Sequence, residues 1–341
     1  MSSNQTAPTK TPVKSTGLHV GTAAPGVKKV DPILVADNVK RRFGGLTAVD
    51  VDHLEIPRNA ITALIGPNGA GKTTLFNLLT GFDKPDTGSW TFDGTSLAGV
   101  PAYKAARQGQ VRTFQLTKAL SLLTVLENMK LGAQGQRGEK IWASILPWTW
   151  RAQELANEEK ALKLLSRFQL DTKRDDFAAS LSGGQRKLLE MARALMSEPT
   201  LVMLDEPMAG VNPALTQSLL DHILDLKTQG MTVLFVEHDM QMVRHIADWV
   251  VVMAEGRIVA EGAPDEVMAN PAVIDAYLGS HQDVDLGVVT GRVAGEITGA
   301  GIELASFVEK LDVAVDEIDL DDDGKPDNRI SAAKKTKKVG S

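Results

Sequence analysis

The sequence contains no cysteine. Disulfides, thiolate zinc sites and a cysteine nucleophile are therefore excluded, and the absence suits a reducing compartment. Long apolar runs are missing too. The longest, about Trp249 to Ala254, falls well short of the ~18 residues that a membrane-spanning helix needs. No apolar h-region stands near the N-terminus, so a secretion signal is not expected. A basic excess is also lacking: 37 Lys and Arg stand against 43 Asp and Glu, a formal charge of −6. A general nucleic-acid binder would show the opposite balance. These absences point to a soluble, cytoplasmic chain.

The 341 residues are 43% apolar and 23% charged, a mix that can build a core in one large or two modest domains. Residues 1–30 are rich in Ser, Thr, Pro, Gly and Lys and are expected to be disordered. Residues 281–341 are expected to form a mostly flexible extension, although 301–317 has apolar spacing that suits a helix. The extension holds an acidic patch at 316–323 and closes on Lys334, Lys335, Lys337 and Lys338. Asp319, Asp321, Asp323, Gly324 and Asp327 partly fit a Ca²⁺ loop, but Ile330 stands where a bidentate Glu belongs, so a solvated acidic tail is the expectation.

Between these ends, residues 31–280 alternate short apolar runs with amphipathic stretches. Ile61-Thr62-Ala63-Leu64-Ile65, Leu201-Val202-Met203-Leu204 and Thr232-Val233-Leu234-Phe235-Val236 read as strands covered on both faces. Residues 249–260, with Glu255-Gly256 between two apolar runs, read as a hairpin. Leu188, Leu189, Ala192 and Leu195 share one face of a helix over 186–195.

Gly66-Pro67-Asn68-Gly69-Ala70-Gly71-Lys72-Thr73 matches G-x-x-x-x-G-K-[ST] and lies between the strand 61–65 and a predicted helix beginning at Thr74. Its glycines let the backbone wrap so that successive N–H groups face a phosphate, and the helix N-terminus adds partial positive charge. Lys72 would reach the β- and γ-phosphates, and the Thr73 hydroxyl would bind Mg²⁺. The strand 201–204 ends in Asp205 and Glu206, at the strand edge where ligands bind in open α/β sheets. Asp205 is the natural partner of Mg²⁺, and Glu206 the candidate for orienting or deprotonating a water.

A second glycine motif, Leu181-Ser182-Gly183-Gly184-Gln185, heads the helix 186–195. It implies either a second phosphate contact or a nucleotide supplied by another subunit. LSGGQ between a phosphate loop and an LVMLDEP strand resembles the nucleotide-binding domain of ABC transporters, over about residues 33–280. That resemblance implies a P-loop α/β core with an antiparallel β subdomain and a helical subdomain inserted at about 113–185. It implies hydrolysis of ATP with Mg²⁺. It assigns Gln115, in Arg112-Thr113-Phe114-Gln115, as the glutamine that senses Mg²⁺ and the membrane partner. It assigns His238 as the switch histidine near the γ-phosphate, and Phe43 as the ring that stacks on adenine, with ordinary core packing as the alternative. Ser182, Gly183, Gly184 and Gln185 would act on the nucleotide held by the partner ATPase. Asn212 departs from the Asp that many members carry there.

Arg42-Phe43-Gly44-Gly45-Leu46-Thr47-Ala48-Val49, Glu206-Pro207-Met208-Ala209-Gly210-Val211-Asn212-Pro213 and Ala276-Tyr277-Leu278-Gly279 look like the LivG-type ATPases of branched-chain amino-acid importers. That likeness implies a second ATPase (LivF-type or a second copy), two membrane permeases and an extracytoplasmic solute-binding protein. It places the chain peripherally on the cytoplasmic face of the membrane. Urea and amide importers and the lipopolysaccharide-export ATPases have similar subunits, and are the alternatives. Trp142, Trp148 and Trp150 form an apolar patch suited to a permease or membrane contact, or to packing on the helices of that subdomain.

Overall fold

The computed structural model of the protein describes residues 24–113, 120–136 and 150–279. These residues fall within the first of two units, Met1–Asp283. The expectations for 1–23 and for the 281–341 extension, its partial Ca²⁺ loop included, lie outside the described residues.

A six-stranded sheet forms the centre. It comprises β3 (Ile61–Ile65), β6 (Gln110–Arg112), β7 (Leu201–Asp205), β8 (Thr232–Val236), β9 (Trp249–Ala254) and β10 (Arg257–Gly262), in the order β10-β9-β3-β8-β7-β6. All pairs are parallel except the β9–β10 hairpin, whose turn residues Glu255 and Gly256 both have positive φ. Two positive φ values are what a tight right-twisted hairpin turn requires. Every residue of β3, β7 and β8 is buried. That explains their unbroken aliphatic sequences: both faces are covered, so there is no polar alternation.

The two faces meet different layers. Ala63, Val202, Leu204, Val233 and Phe235 pack on one side with Leu188, Leu189 and Leu195 of α5 (Gly183–Leu195) and Leu219 and Ile223 of α6 (Pro213–Thr228). Leu64, Leu201, Met203, Leu234 and Val236 face the other way, onto Leu75, Phe76 and Leu79 of α1 (Lys72–Leu79). That second core also includes Ile33, Val49, Trp90 and Phe92 from an antiparallel sheet. Its strands are β1 (Pro32–Phe43), β2 (Leu46–Pro57), β4 (Thr87–Phe92) and β5 (Thr95–Ser96), in the order β2-β1-β4-β5.

Helix α2 (Ala102–Arg107) leads into β6. Between β6 and β7 the described chain is helical: α3 (Val125–Lys130), α4 (Arg151–Arg167) and α5. A reciprocal Thr124–Glu127 capping box starts α3. Val125 and Met129 then join Ala161, Leu165 and Phe168 in the core shared with α5. Helix α7 (Met240–Ile246) follows β8, and α8 (Pro264–Met268) and α9 (Pro271–Gly279) follow β10.

Residues 24–30 differ from the composition-based expectation of disorder. The Val27 amide donates to Glu261 Oε1, the Lys29 amide donates to Glu55, and the buried Lys29 ammonium pairs with Glu261 Oε2 at 2.6 Å. Glu261 is buried, so its charge demands a counter-charge, and Lys29 supplies it over the Trp249 ring. A composition scan sees only the polarity of such a segment and misses a partner more than 200 residues away.

Candidate functional site

The parallel strands β3, β8, β7 and β6 end at one edge of the sheet, and residues 66–73, Asp205, Glu206 and His238 stand where β3, β7 and β8 end. Residues 66–73 leave β3 and enter α1. Gly66 has φ 149° and Gly71 has φ 95°. A Cβ on Gly66 would lie 2.1 Å from the Met253 carbonyl oxygen, and one on Gly71 would lie 2.2 Å from that of Ala48. Neither position admits a side chain, so the loop is fixed by close backbone approach as well as by conformation. No side chain caps the start of α1, and its first turn carries no acidic residue. The first amides of an uncapped helix are donors for an external anion.

Lys72 curls back into this loop. Its Nζ donates to the carbonyls of Gly66 at 2.6 Å and Pro67 at 2.8 Å. Burial pulls its ammonium below the ordinary lysine range, while the negative charge of Glu206 acts in the opposite sense. Lys72 and Glu206 therefore feel one another across the strand edge. Asn68, Gly69 and Thr73 are exposed, Pro67 and Thr74 half-buried, and Ala70 buried. This set fits a Mg²⁺-bound nucleotide. A glycine-framed loop and an uncapped helix start suit phosphate, and the Thr73 hydroxyl and Asp205 carboxylate are hard oxygen donors of the kind Mg²⁺ takes.

Asp205 ends β7 and is 4% exposed. Its Oδ2 accepts from Arg112 Nη2 at 2.7 Å, and the Arg112 side chain is only 7% exposed. Arg112 also donates to Asn77 Oδ1 at 2.6 Å and lies over the rings of Phe76 and Phe82. The Asp205 carboxylate thus has a resident cation tied to α1. Sequence reasoning missed it, because β6 is only three residues long and Arg112 reads as an ordinary charge beside a loop. Arg112→Leu should cost about 3–5 kcal/mol by leaving Asp205 buried without a counter-charge. Adding Asp205→Asn should recover much of that. Urea unfolding of the single and double variants checks it; additive losses would show that the two are not paired.

Glu206 follows with φ 45°, a left-handed conformation rare for a residue with a side chain. Its amide donates to the Val236 carbonyl at 3.0 Å. At the end of β8, buried Glu237 accepts from the Met208 amide at 3.1 Å and from the His238 amide at 3.2 Å. Burial pushes the Glu237 carboxyl above its ordinary range, and these two amides pull against it. His238 Nδ1 stands 3.5 Å from Glu237 Oε2, with the His238 side chain 69% exposed. Glu237 therefore ties the histidine to the loop after Glu206. Sequence reasoning gave Glu237 no role of its own beside His238.

The glycine motif lies elsewhere on the chain. Ser182 Oγ accepts from the Gln185 amide at 3.2 Å, and Gln185 Oε1 accepts from the Ser182 amide at 3.0 Å. This capping box occupies part of the donor set that the sequence reading left free for an anion. Gly184 has a packing reason: a Cβ there would lie 2.4 Å from Leu215 Cδ1. Ser182 and Gly183 are exposed. Among the described residues, no hydrogen bond or ion pair joins residues 182–185 to residues 66–73. Asn212, where an Asp is common, caps α6 by accepting from the Leu215 amide at 2.9 Å. Phe43 is half exposed at the end of β1, with the Arg41 guanidinium 4.8 Å from its ring centre. Gln115, Trp142 and Trp148 lie outside the described residues; Trp150 immediately precedes α4.

Beside Arg112 a groove of about 480 Å³ opens, lined among others by Tyr103, Arg107, Leu131, Glu190 and Arg193.

A family model described as "ABC transporter" matches residues 49–209, and one described as "Branched-chain amino acid ATP-binding cassette transporter" matches residues 257–283. The chain is 40% identical over 257 residues to the probable branched-chain amino acid transport ATP-binding protein LivG of Archaeoglobus fulgidus, covering 75% of this chain and 99% of that protein. It is 40% identical over 250 residues to the high-affinity branched-chain amino acid transport ATP-binding protein BraF of Pseudomonas aeruginosa, covering 73% and 98%. Among solved structures it is similar to a nucleotide-free ATP-binding cassette from an ABC transporter, at TM-score 0.63 and 37% identity over 72% of this chain and 98% of that one. It is likewise similar to the ADP conformation of such a cassette, at TM-score 0.61 and 36% identity, covering 73% and 99%. The chain belongs to the ABC transporter family, as an ATP-binding protein of the branched-chain amino acid transport group.

Proposed function

We propose that this chain hydrolyses Mg-ATP to drive a bacterial importer of branched-chain amino acids. The observation that carries the reading is that Lys72, in its glycine-framed loop, feels the charge of Glu206, which directly follows Asp205 at the end of β7.

The amides of residues 66–73 cradle the phosphates, and Lys72 exchanges the two loop carbonyls for β- and γ-phosphate oxygens. The Phe43 ring stacks on the adenine. Thr73, Asp205 and Gln115 would hold the Mg²⁺, directly or through water, and the bound ion would neutralise charge on the transferring phosphoryl group. Glu206 polarises the water whose oxygen bonds to the γ-phosphorus. The bond to the β-phosphate oxygen breaks, and ADP and phosphate leave. His238 positions the γ-phosphate, oriented by Glu237. Ser182, Gly183, Gly184 and Gln185 close over the nucleotide held by a second ATPase, either LivF-type or another copy of this chain. Most of the catalysis is placement and charge neutralisation, which the closing of two protomers completes.

The remaining partners are two membrane permeases and an extracytoplasmic solute-binding protein. Among the described residues no helix is long and apolar enough to cross a membrane, so the permeases supply the peripheral attachment at the cytoplasmic face. Reconstituted with permeases and binding protein, the chain should hydrolyse ATP faster when leucine, isoleucine or valine is supplied. Stimulation by urea or an amide instead would move it to that importer group.

A further inference from the structure

Lys187 lies on α5, five residues after Ser182, and would pass for one more solvated lysine of an amphipathic helix. Its ammonium instead reaches across to the loop after β7. It donates to the carbonyls of Glu206 at 3.2 Å, Pro207 at 3.0 Å and Ala209 at 2.5 Å. One cation thus gathers three carbonyls of a single loop, beginning with the residue whose own φ is 45°. On its far side the same loop is held by Glu237, through the Met208 amide at 3.1 Å. The loop also closes on itself, the Ala209 amide donating to the Glu206 carbonyl at 3.1 Å. A left-handed residue persists where its surroundings over-determine it, and these contacts do so for Glu206.

We propose that Lys187 is a positioning residue for Glu206, a brace by which the glycine-motif helix of a chain fixes the aim of the same chain's water-polarising carboxylate. This rests on the roles given above to Glu206 and to residues 182–185. Those residues face the partner's nucleotide, and Glu206 faces the chain's own. Lys187 therefore ties the closing of one nucleotide site to the hydrolytic geometry of the other. An ammonium suits this role, having three donors and no acceptor, so a cluster of carbonyls satisfies it completely. Burial draws its proton affinity down, with Glu237, Glu190 and Glu206 acting the other way.

The test is Mg-ATP hydrolysis and Mg-ATP binding by the full chain, by itself and paired with the second ATPase subunit, carrying Lys187→Met or Lys187→Arg, each alone and combined with Glu206→Gln. Lys187→Met should lower kcat about tenfold or more while leaving Mg-ATP affinity within about twofold, because the lost interaction orients the attacking water and does not hold the ligand. Lys187→Arg, which still donates to carbonyls, should recover a large part of kcat. With Glu206→Gln already present, Lys187→Met should leave the residual rate unchanged, since it acts through that carboxylate. If Lys187→Met fails to fold, Lys187→Gln, with a shorter and uncharged donor, takes its place with the same expectations. Wild-type kcat in the neutral variant, or an equal fractional loss with and without Glu206→Gln, would overturn this role alone. A wild-type chain that neither binds nor hydrolyses Mg-ATP would overturn the site assignment beneath it.

Discussion

Glu206→Gln is expected to bind Mg-ATP as tightly as the wild type and to hydrolyse it at least about a hundredfold more slowly. The substitution keeps the size of the side chain and leaves the left-handed backbone and the 3.0 Å bond from the Glu206 amide to Val236 untouched. It removes only the negative charge and the ability to take a proton. Positioned proton acceptors contribute roughly 10²–10⁴-fold, which sets the size of the loss. Binding should survive because the proposed phosphate contacts come from residues 66–73. Loss of the negative charge also removes the influence that holds the Lys72 proton affinity up. The nucleotide should therefore accumulate unhydrolysed in a closed pair of protomers. Single-turnover hydrolysis with labelled ATP measures the loss; wild-type turnover would remove Glu206 from its role.

Lys72→Ala should fail earlier, at binding. The wild-type ammonium already lies in the loop, on carbonyls only 2.6 and 2.8 Å away, and needs a small displacement to meet phosphate. Alanine leaves the amide cradle without its point charge. Affinity should drop about tenfold or more, and hydrolysis about a hundredfold or more, since the charge counts most where negative charge develops. A titration of fluorescent ATP separates this from the Glu206 variant, which should bind normally. The Lys72 cation also gives a pH signature. Its proton affinity is lowered by burial, and bound phosphate raises it. Wild-type affinity should therefore be complete at neutral pH and decline as pH rises through the lowered lysine value. Lys72→Ala should lack that decline.

The central strands were legible because burial on both faces leaves runs of aliphatic residues with no alternation, as in 61–65 and 232–236. The loop at 66–73 was legible because the positions closed to a Cβ at Gly66 and Gly71 force glycine into fixed spacing. β1 and β2 were not. They are long paired strands whose outer residues are polar, and a bulge at Arg41 and Arg42 breaks the alternation that would mark them. The supporting side chains were hidden for a different reason. Arg112, Lys187 and Glu237 act on carboxylate, carbonyl and amide groups brought close only by the fold, the first across 93 positions of sequence. Local pattern holds no trace of such partners. The reciprocal bonds between Ser182 and Gln185 were not foreseen, because the motif was read only for its approach to a nucleotide on another subunit.

The central claim is that ATP is gripped by residues 66–73 of one protomer and sealed by residues 182–185 of another. Counting nucleotide per assembled pair tests it most directly. Glu206→Gln chain, alone and mixed with the second ATPase subunit, is given Mg-ATP, and the mass and bound ATP of each species are measured. The account predicts ATP-dependent pairing with two nucleotides per pair, lost when Ser182→Arg is added. Stoichiometric ATP on a chain that stays single in both settings, unaffected by Ser182→Arg, would contradict it.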